Sequence, residues 1–275
     1  MSPVINSLAL PFQLLLQRML AQHVSSDTDL NKIWEGILSM PGCEKEKECS
    51  LRQALIIING SLVPGFQLEV RSVSLPIRFN DEDEGTQTVY HAVVNKNADD
   101  IAKSCAVGLT SNSLSGPHEL ALFRLILEKL VERSNKDDED SDNDEDDDSE
   151  DNQENSRSRK KSSRKRIRGS GCQSSLSRIE MINLRMELAG DHADKLAIGQ
   201  AEDAISDLEA GGWLVSGPSY STDTGRNSTK RRRTSNGQGE SAYLQIGPRT
   251  YMELGDMLSQ LGLDQDCMPQ SIINR

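Results

Sequence analysis

The nine residues DLEAGGWLV, 207 to 215, change character in the middle. An amphipathic helix runs out at Glu209, Gly211 and Gly212 stop it, and Trp213-Leu214-Val215 has the aromatic and branched composition of a strand. Few small folds pass from helix to strand through two glycines, so this junction constrains the architecture more than any other stretch. Ahead of it, Ala197, Ala201, Ala204, Ile205 and Leu208 recur at helical spacing. A further helical segment carries Leu176, Ile179, Ile182 and Met186, and before that HELALFRLILEKLVE places Leu120, Phe123, Leu127 and Leu130 on one face.

Beyond the strand, AYLQI reads as its returning partner, and Gly247-Pro248 opens a last helix with Tyr251, Leu254, Leu258 and Leu261 in register. Three helices followed by a two-stranded ribbon is the order of a winged helix. The same order occurs earlier. Phe12, Leu15, Leu16 and Met19 mark a first helix, DLNKIWEGIL a second with Asp29 as its cap, and LRQALIIINGSLV a third that Pro64-Gly65 breaks. FQLEVRSV then alternates Phe66, Leu68 and Val70 inward against Gln67, Glu69 and Arg71 outward, and TVYHAVVN returns across an acidic turn at 80–85.

The expected fold class is therefore mainly α with small β wings (α+β): two winged-helix domains in tandem, at 8–104 and 105–262, followed by a tail at 263–275. Two stretches do not fit a packed domain. Residues 137–154 hold thirteen Asp and Glu without a base, and residues 157–168 hold eight Arg and Lys without an acid. Such blocks repel themselves and bury nothing, so 134–173 is expected to be a disordered insertion inside the second domain, between its first and second helices. Loop closure costs only a logarithm of length, which makes an insertion of this size tolerable. Residues 216–241 form a second polar insertion, within the second wing.

Charge and composition exclude several functions. The formal charge is −12, and the folded remainder outside the charged blocks stays acidic, so nucleic acid can be met only through the local basic runs. LALPFQLLL lacks a preceding basic region and a cleavage site and is interrupted by Gln17-Arg18, too soon for the roughly twenty residues of a membrane span. It reads as a helix. The five cysteines are odd in number and scattered, as expected of reduced thiols. His23, His91, His118 and His192 lie on helix ends or a strand with no neighbouring Cys or evident carboxylate, and no phosphate loop or nucleophile elbow occurs. Catalytic and metal-ligating residues are accordingly expected to be none.

A winged helix commonly places its third helix in the DNA major groove. Here the third helices are unsuited to it. LRQALIIINGSLV has one Arg and is otherwise mostly apolar, while KLAIGQAEDAISDLEAGG carries Glu202, Asp203, Asp207 and Glu209, which phosphate repels. Protein partners suit them better. The basic runs, Arg157, Arg159, Lys160, Lys161, Arg164, Lys165, Arg166 and Arg168 in one and Lys230, Arg231, Arg232 and Arg233 in the other, have two readings, nuclear import and DNA-backbone contact.

HELALFRLILEKLVE, LEAGGWLV, YLQIGPRTYMEL and VYHAVVN followed by DDIAKSCAVGL, in that relation to one another, resemble the non-structural maintenance of chromosomes element 1 family, from about Leu10 to the last residue apart from the polar insertions. The resemblance implies a nuclear subunit of the Smc five–six complex, acting in DNA repair and recombination. Its tandem winged helices are implied to pair with a MAGE-type winged-helix partner and a kleisin subunit. The exposed part of the first helix, with Phe12, Leu16, Met19 and Leu20, is the expected partner-binding surface. Family members also carry a zinc-binding RING with ubiquitin-ligase activity, which works with a ubiquitin-conjugating enzyme. A RING needs eight Cys or His ligands, and this chain has five Cys, four His and no C-x-x-C. No cofactor is therefore expected here. MPQSIINR stands where the RING would begin, so the expectation is a truncated product, a splice form or an incomplete gene model. The alternative class is a free-standing winged-helix DNA-binding or transcription factor.

Overall fold

The structure, a computed structural model, describes residues 8–43, 46–66, 68–76, 87–95, 117–139, 171–172, 174–188, 196–217 and 243–273. The first half runs α1 (Leu10–Gln22), β1 (Val24–Ser26), α2 (Asp27–Leu38), α3 (Leu51–Phe66), β2 (Leu68–Pro76) and β3 (Gln87–Asn95). The second repeats that order as α4 (Pro117–Glu139), β4 (Leu176–Ser177), α5 (Arg178–Asn183) with a 3-10 turn (Leu184–Glu187), α6 (Ile198–Ala210), β5 (Leu214–Ser216) and β6 (Tyr243–Ile246). Then come α7 (Pro248–Glu253), α8 (Gly255–Gln260), a 3-10 turn (Gln265–Cys267) and β7 (Ser271–Ile273). The sheets are antiparallel, ordered β1-β3-β2-β7 and β4-β6-β5. Mostly helix with small sheets, in a winged-helix-like order, is the expected class.

Helix starts and stops differ from the sequence reading in ways that have local causes. Asp29 is not the cap of α2: Ser26 is, accepting from the Asp29 N–H at 3.1 Å, while the Asp29 carboxylate accepts from the Ser26 hydroxyl at 2.8 Å. Ser177 repeats the device for α5 with Glu180, in a full capping box. The helix α3 continues through Pro64-Gly65 but goes only one residue further, to Phe66, so the proline falls in its last turn. The helix α4 runs past residue 133 to Glu139, held by Lys136 against Glu132 at 2.7 Å and by Asn135 donating to Gly262 O at 3.2 Å. The last helix is two short ones, parted at Leu254 with φ −115° and ψ 21°.

Two cores result. One gathers Phe12, Leu15, Met19, Leu30, Trp34, Leu55 and Ile58 with Val70, and in it the Phe12 and Trp34 rings stack at 5.8 Å. The other belongs to the second half, with Phe123, Leu127, Leu130, Met181, Ile205, Leu208 and Trp213, but it also takes in Val73, Ala92 and Val94 from the ribbon of the first half. The ribbon is thus covered on both faces. This overturns the inward and outward alternation expected for β2: Glu69 is buried and Phe66 is exposed. Gln67 lies outside the described residues.

A second correction concerns α5. The core-facing residues are Met181, Leu184 and Leu188, whereas Ile179 and Met186 are 60% and 69% exposed. The segment carries two apolar stripes, and spacing alone does not say which one faces inward. Both basic runs, the acidic tract beyond Glu139, the acidic turn at 80–85, His192 and Cys105 lie outside the described residues, while the first three acids of the tract close α4.

Candidate functional site at the junction of the two halves

The glycine stop at the end of α6 is a Schellman motif. Gly212 takes φ +75°, its N–H donates to Glu209 O at 3.0 Å, and the Trp213 N–H donates to Leu208 O at 2.9 Å. Only glycine adopts that conformation without strain, and a side chain there would also meet Val24 of the first half at 2.9 Å. The second family-like segment, GPRTYMEL, crosses this turn at van der Waals range. Gly247 N–H donates to Trp213 O at 2.8 Å, and a Cβ on Gly247 would lie 2.3 Å from Gly212 O. Thr250 Oγ1 donates to Trp213 O as well, at 2.6 Å.

Trp213 is wholly buried between these segments. Phe123 meets its ring edge-on at 5.9 Å, and the Arg249 guanidinium lies 4.3 Å from the ring centroid. Arg249 also forms an ion pair with Glu253 at 2.6 Å, both side chains 8% exposed. Burial pushes the Glu253 carboxyl above its usual range, against the pull of Arg249 and Arg71. Arg71, from β2, donates to Met252 O at 2.8 Å and pairs with the buried Glu69. A cation from each half therefore meets the same helix, α7, and each is paired with a carboxylate.

The ribbon holds a second polar chain. His91 on β3 contacts Asp27 Oδ1 through Nε2 at 3.0 Å and Ser72 Oγ through Nδ1 at 2.7 Å. A carboxylate only accepts, so Nε2 carries the proton and Nδ1 accepts from the Ser72 hydroxyl. Burial pulls the His91 ring below its ordinary value, more strongly than Asp27 raises it. Contrary to the sequence expectation, His91 has a carboxylate partner. Ser72 is 1% exposed and His91 5%, so this Ser-His-Asp chain has no room for a substrate and works as a tie between α2 and the ribbon. His23, at the end of α1 with φ 59°, is likewise held low, first by burial and then by Arg249.

The other expected sites fare differently. Phe12 and Met19 are 5% and 2% exposed and belong to the first core, so they cannot face a partner; Leu16 is half-buried and Leu20 is exposed. The helix is amphipathic, and its larger side chains take the inner face. Zinc does not fit the described residues: Cys43, Cys49, Cys172 and Cys267 are dispersed, and no group of three His, Cys, Asp or Glu among the described residues can hold a metal. Among the described residues no helix is long and apolar enough to cross a membrane.

Comparison with known proteins bears on most of the chain. A family model described as Nse1 non-SMC component of SMC5-6 complex matches residues 13–225. No curated protein matches. The fold is similar to a solved chain of an Nse1-Nse3-Nse4 complex, with 17% identity and a TM-score of 0.48, over 90% of this chain and 73% of that one.

Proposed function

Because this chain belongs to the family of Nse1 non-SMC components of the SMC5-6 complex, we propose that it serves that complex as a scaffold subunit, in the nucleus, in DNA repair and recombination. Its partners are a MAGE-type winged-helix subunit and the kleisin subunit. The observation that carries this reading is the family match over residues 13–225, which takes in nearly all of the first half and the second half through the glycine stop and β5. The surfaces agree with it. From Gln53 to Phe66 the third helix of the first half has no charged residue, and that of the second exposes Glu202 and Asp203. Neither surface neutralises phosphates, and both can meet protein. Ubiquitin transfer is not assigned to these residues.

Co-expression with a MAGE-type subunit and a kleisin tests the proposal. A stable three-subunit assembly on size exclusion is the expected result. If the chain instead elutes alone and retains duplex DNA at physiological salt, it is a free-standing DNA-binding protein and the proposal fails.

A further inference from the structure

The outward apolar stripe of the stretch 178–187 marks a surface. Ile179 and Met186 are spaced for one side of the helical stretch 178–187 and are 60% and 69% exposed. Arg185 Nη1 donates to Leu196 O at 3.4 Å and so ties the end of this stretch to the start of α6, where Ile198 is 57% exposed. One helical turn beyond Ile198 stand Glu202 and the adjoining Asp203, both exposed. Among the described residues neither lies within ion-pair distance of a base. Arg178, beside Ile179, reaches Ser206 and Glu209 at the far end of α6, so the two helices lie side by side. Single exposed apolar residues are ordinary; three spread along such a pair, with unmatched carboxylates on one of its helices, make a surface with a sign.

We infer that this face of α5 and α6 receives an amphipathic helix of a partner protein, with an apolar stripe flanked by Lys or Arg. The inference rests on the scaffold reading above and names the surface and the chemistry of what it holds. The ridge from Ile179 to Met186 spans about 10 Å at a rise of ~1.5 Å per residue, which suits about two turns of a docked helix. The exposed carboxylates select a basic flank and repel nucleic acid. The chain's own basic runs do not supply this occupant. Residues 157–168 hold one apolar residue, Ile167, and residues 230–233 none, so neither can cover an apolar ridge.

The test uses the full chain co-expressed with the two proposed partner subunits. Ile179→Glu combined with Met186→Glu is expected to weaken assembly at least tenfold, and Glu202→Lys with Asp203→Lys to weaken it by a factor that shrinks as salt is raised. Circular dichroism checks that each variant is folded, which the exposure of these positions predicts. Phe66→Glu, at a site 58% exposed on the other half, is the control and is expected to leave assembly unchanged. Normal assembly by the Ile179/Met186 variant, or weakening by Phe66→Glu alone, overturns the inference and leaves the scaffold reading standing. Failure of the unaltered chain to assemble overturns the scaffold reading and the inference with it.

Discussion

The two ribbons share a topology and differ in surroundings. In the first half, β2 and β3 are nine residues each and are covered on both faces, by α1 to α3 on one side and by α7 and the second core on the other. In the second half, β5 and β6 are three and four residues, and Leu214, Leu244 and Ile246 turn into their own core. The first wing is therefore a layer between two cores, unavailable as a probe of a groove. The second is a short stem whose base, at Gly212, Trp213 and Gly247, locks α4, α6 and α7 of the second half together and touches the first half at Val24. One repeat supplies the surface that the other closes over.

If the stem base locks the second half together, Trp213→Ala is the most damaging change. The ring is wholly buried against Phe123 and Arg249, and its loss is expected to cost about 3–5 kcal/mol in denaturant unfolding. A loss below about 1 kcal/mol would show that the packing of the second half does not depend on the stem base. The next effect falls on the covered ribbon. Arg71→Ala strips a buried carboxylate, Glu69, of its partner and Met252 O of its donor, with an expected cost of about 3 kcal/mol. On a solvent-facing wing the same change would cost no more than about 0.5 kcal/mol. The double variant Glu69→Leu with Arg71→Leu is expected to recover most of the loss, since it leaves no unmatched charge.

Gly247→Ala sharpens the contrast within the second half. The added methyl meets backbone at 2.3 Å, and backbone cannot swing away as a side chain can, so a cost of roughly 2–3 kcal/mol is expected. Gly36, exposed in α2 with nothing within 4 Å of its virtual Cβ, is the reference. Gly36→Ala is expected to add about 0.5–1 kcal/mol by helix propensity. Equal effects at the two glycines, measured by thermal unfolding, would remove the argument for a close backbone crossing.

What could be read from the sequence follows from the range of each interaction. Helix periodicity located α1 to α4 and α6, and the paired glycines marked one of the tight turns that take a positive φ, whereas the lone Gly42, Gly171 and Gly262, which also take one, gave no such signal. The strands β1 and β4, three and two residues long, are too short for alternation to show. LEAGGWLV and YLQIGPRTYMEL stood out as segments, but nothing in them says that Gly247 lies on Gly212. Glu69 and Arg71 look like solvent-facing strand residues because their cover comes from Met252, 181 positions from Arg71. His91 looked solitary because Asp27 is 64 positions away, and Ile179 and Met186 looked like core because the true core stripe, Met181 and Leu184, sits beside them.

The smallest expected effect comes from His91, and its sign follows from the direction of the shift. Burial holds the folded ring below its ordinary value, so the unfolded chain takes up the proton more readily. The stability that the neutral ring contributes is fully present above about pH 6.5 and is lost as the pH falls from there, by at most about 1.4 kcal/mol per pH unit for one group. Glu253 acts in the opposite sense, because its raised carboxyl costs stability as the pH rises through the carboxylate range. His23 acts in the same sense as His91. His91→Gln isolates the one group, since a glutamine amide can donate to Asp27 and accept from Ser72 without titrating, while Glu253 and His23 remain in both proteins. Urea unfolding from pH 7.5 to 5.5 is expected to show a flatter profile for the variant, with the two proteins within about 1 kcal/mol of each other at the upper end. Parallel profiles would mean that the ring keeps its ordinary affinity for a proton, and the first ribbon would then be wetter, and less a layer between cores, than its burial implies.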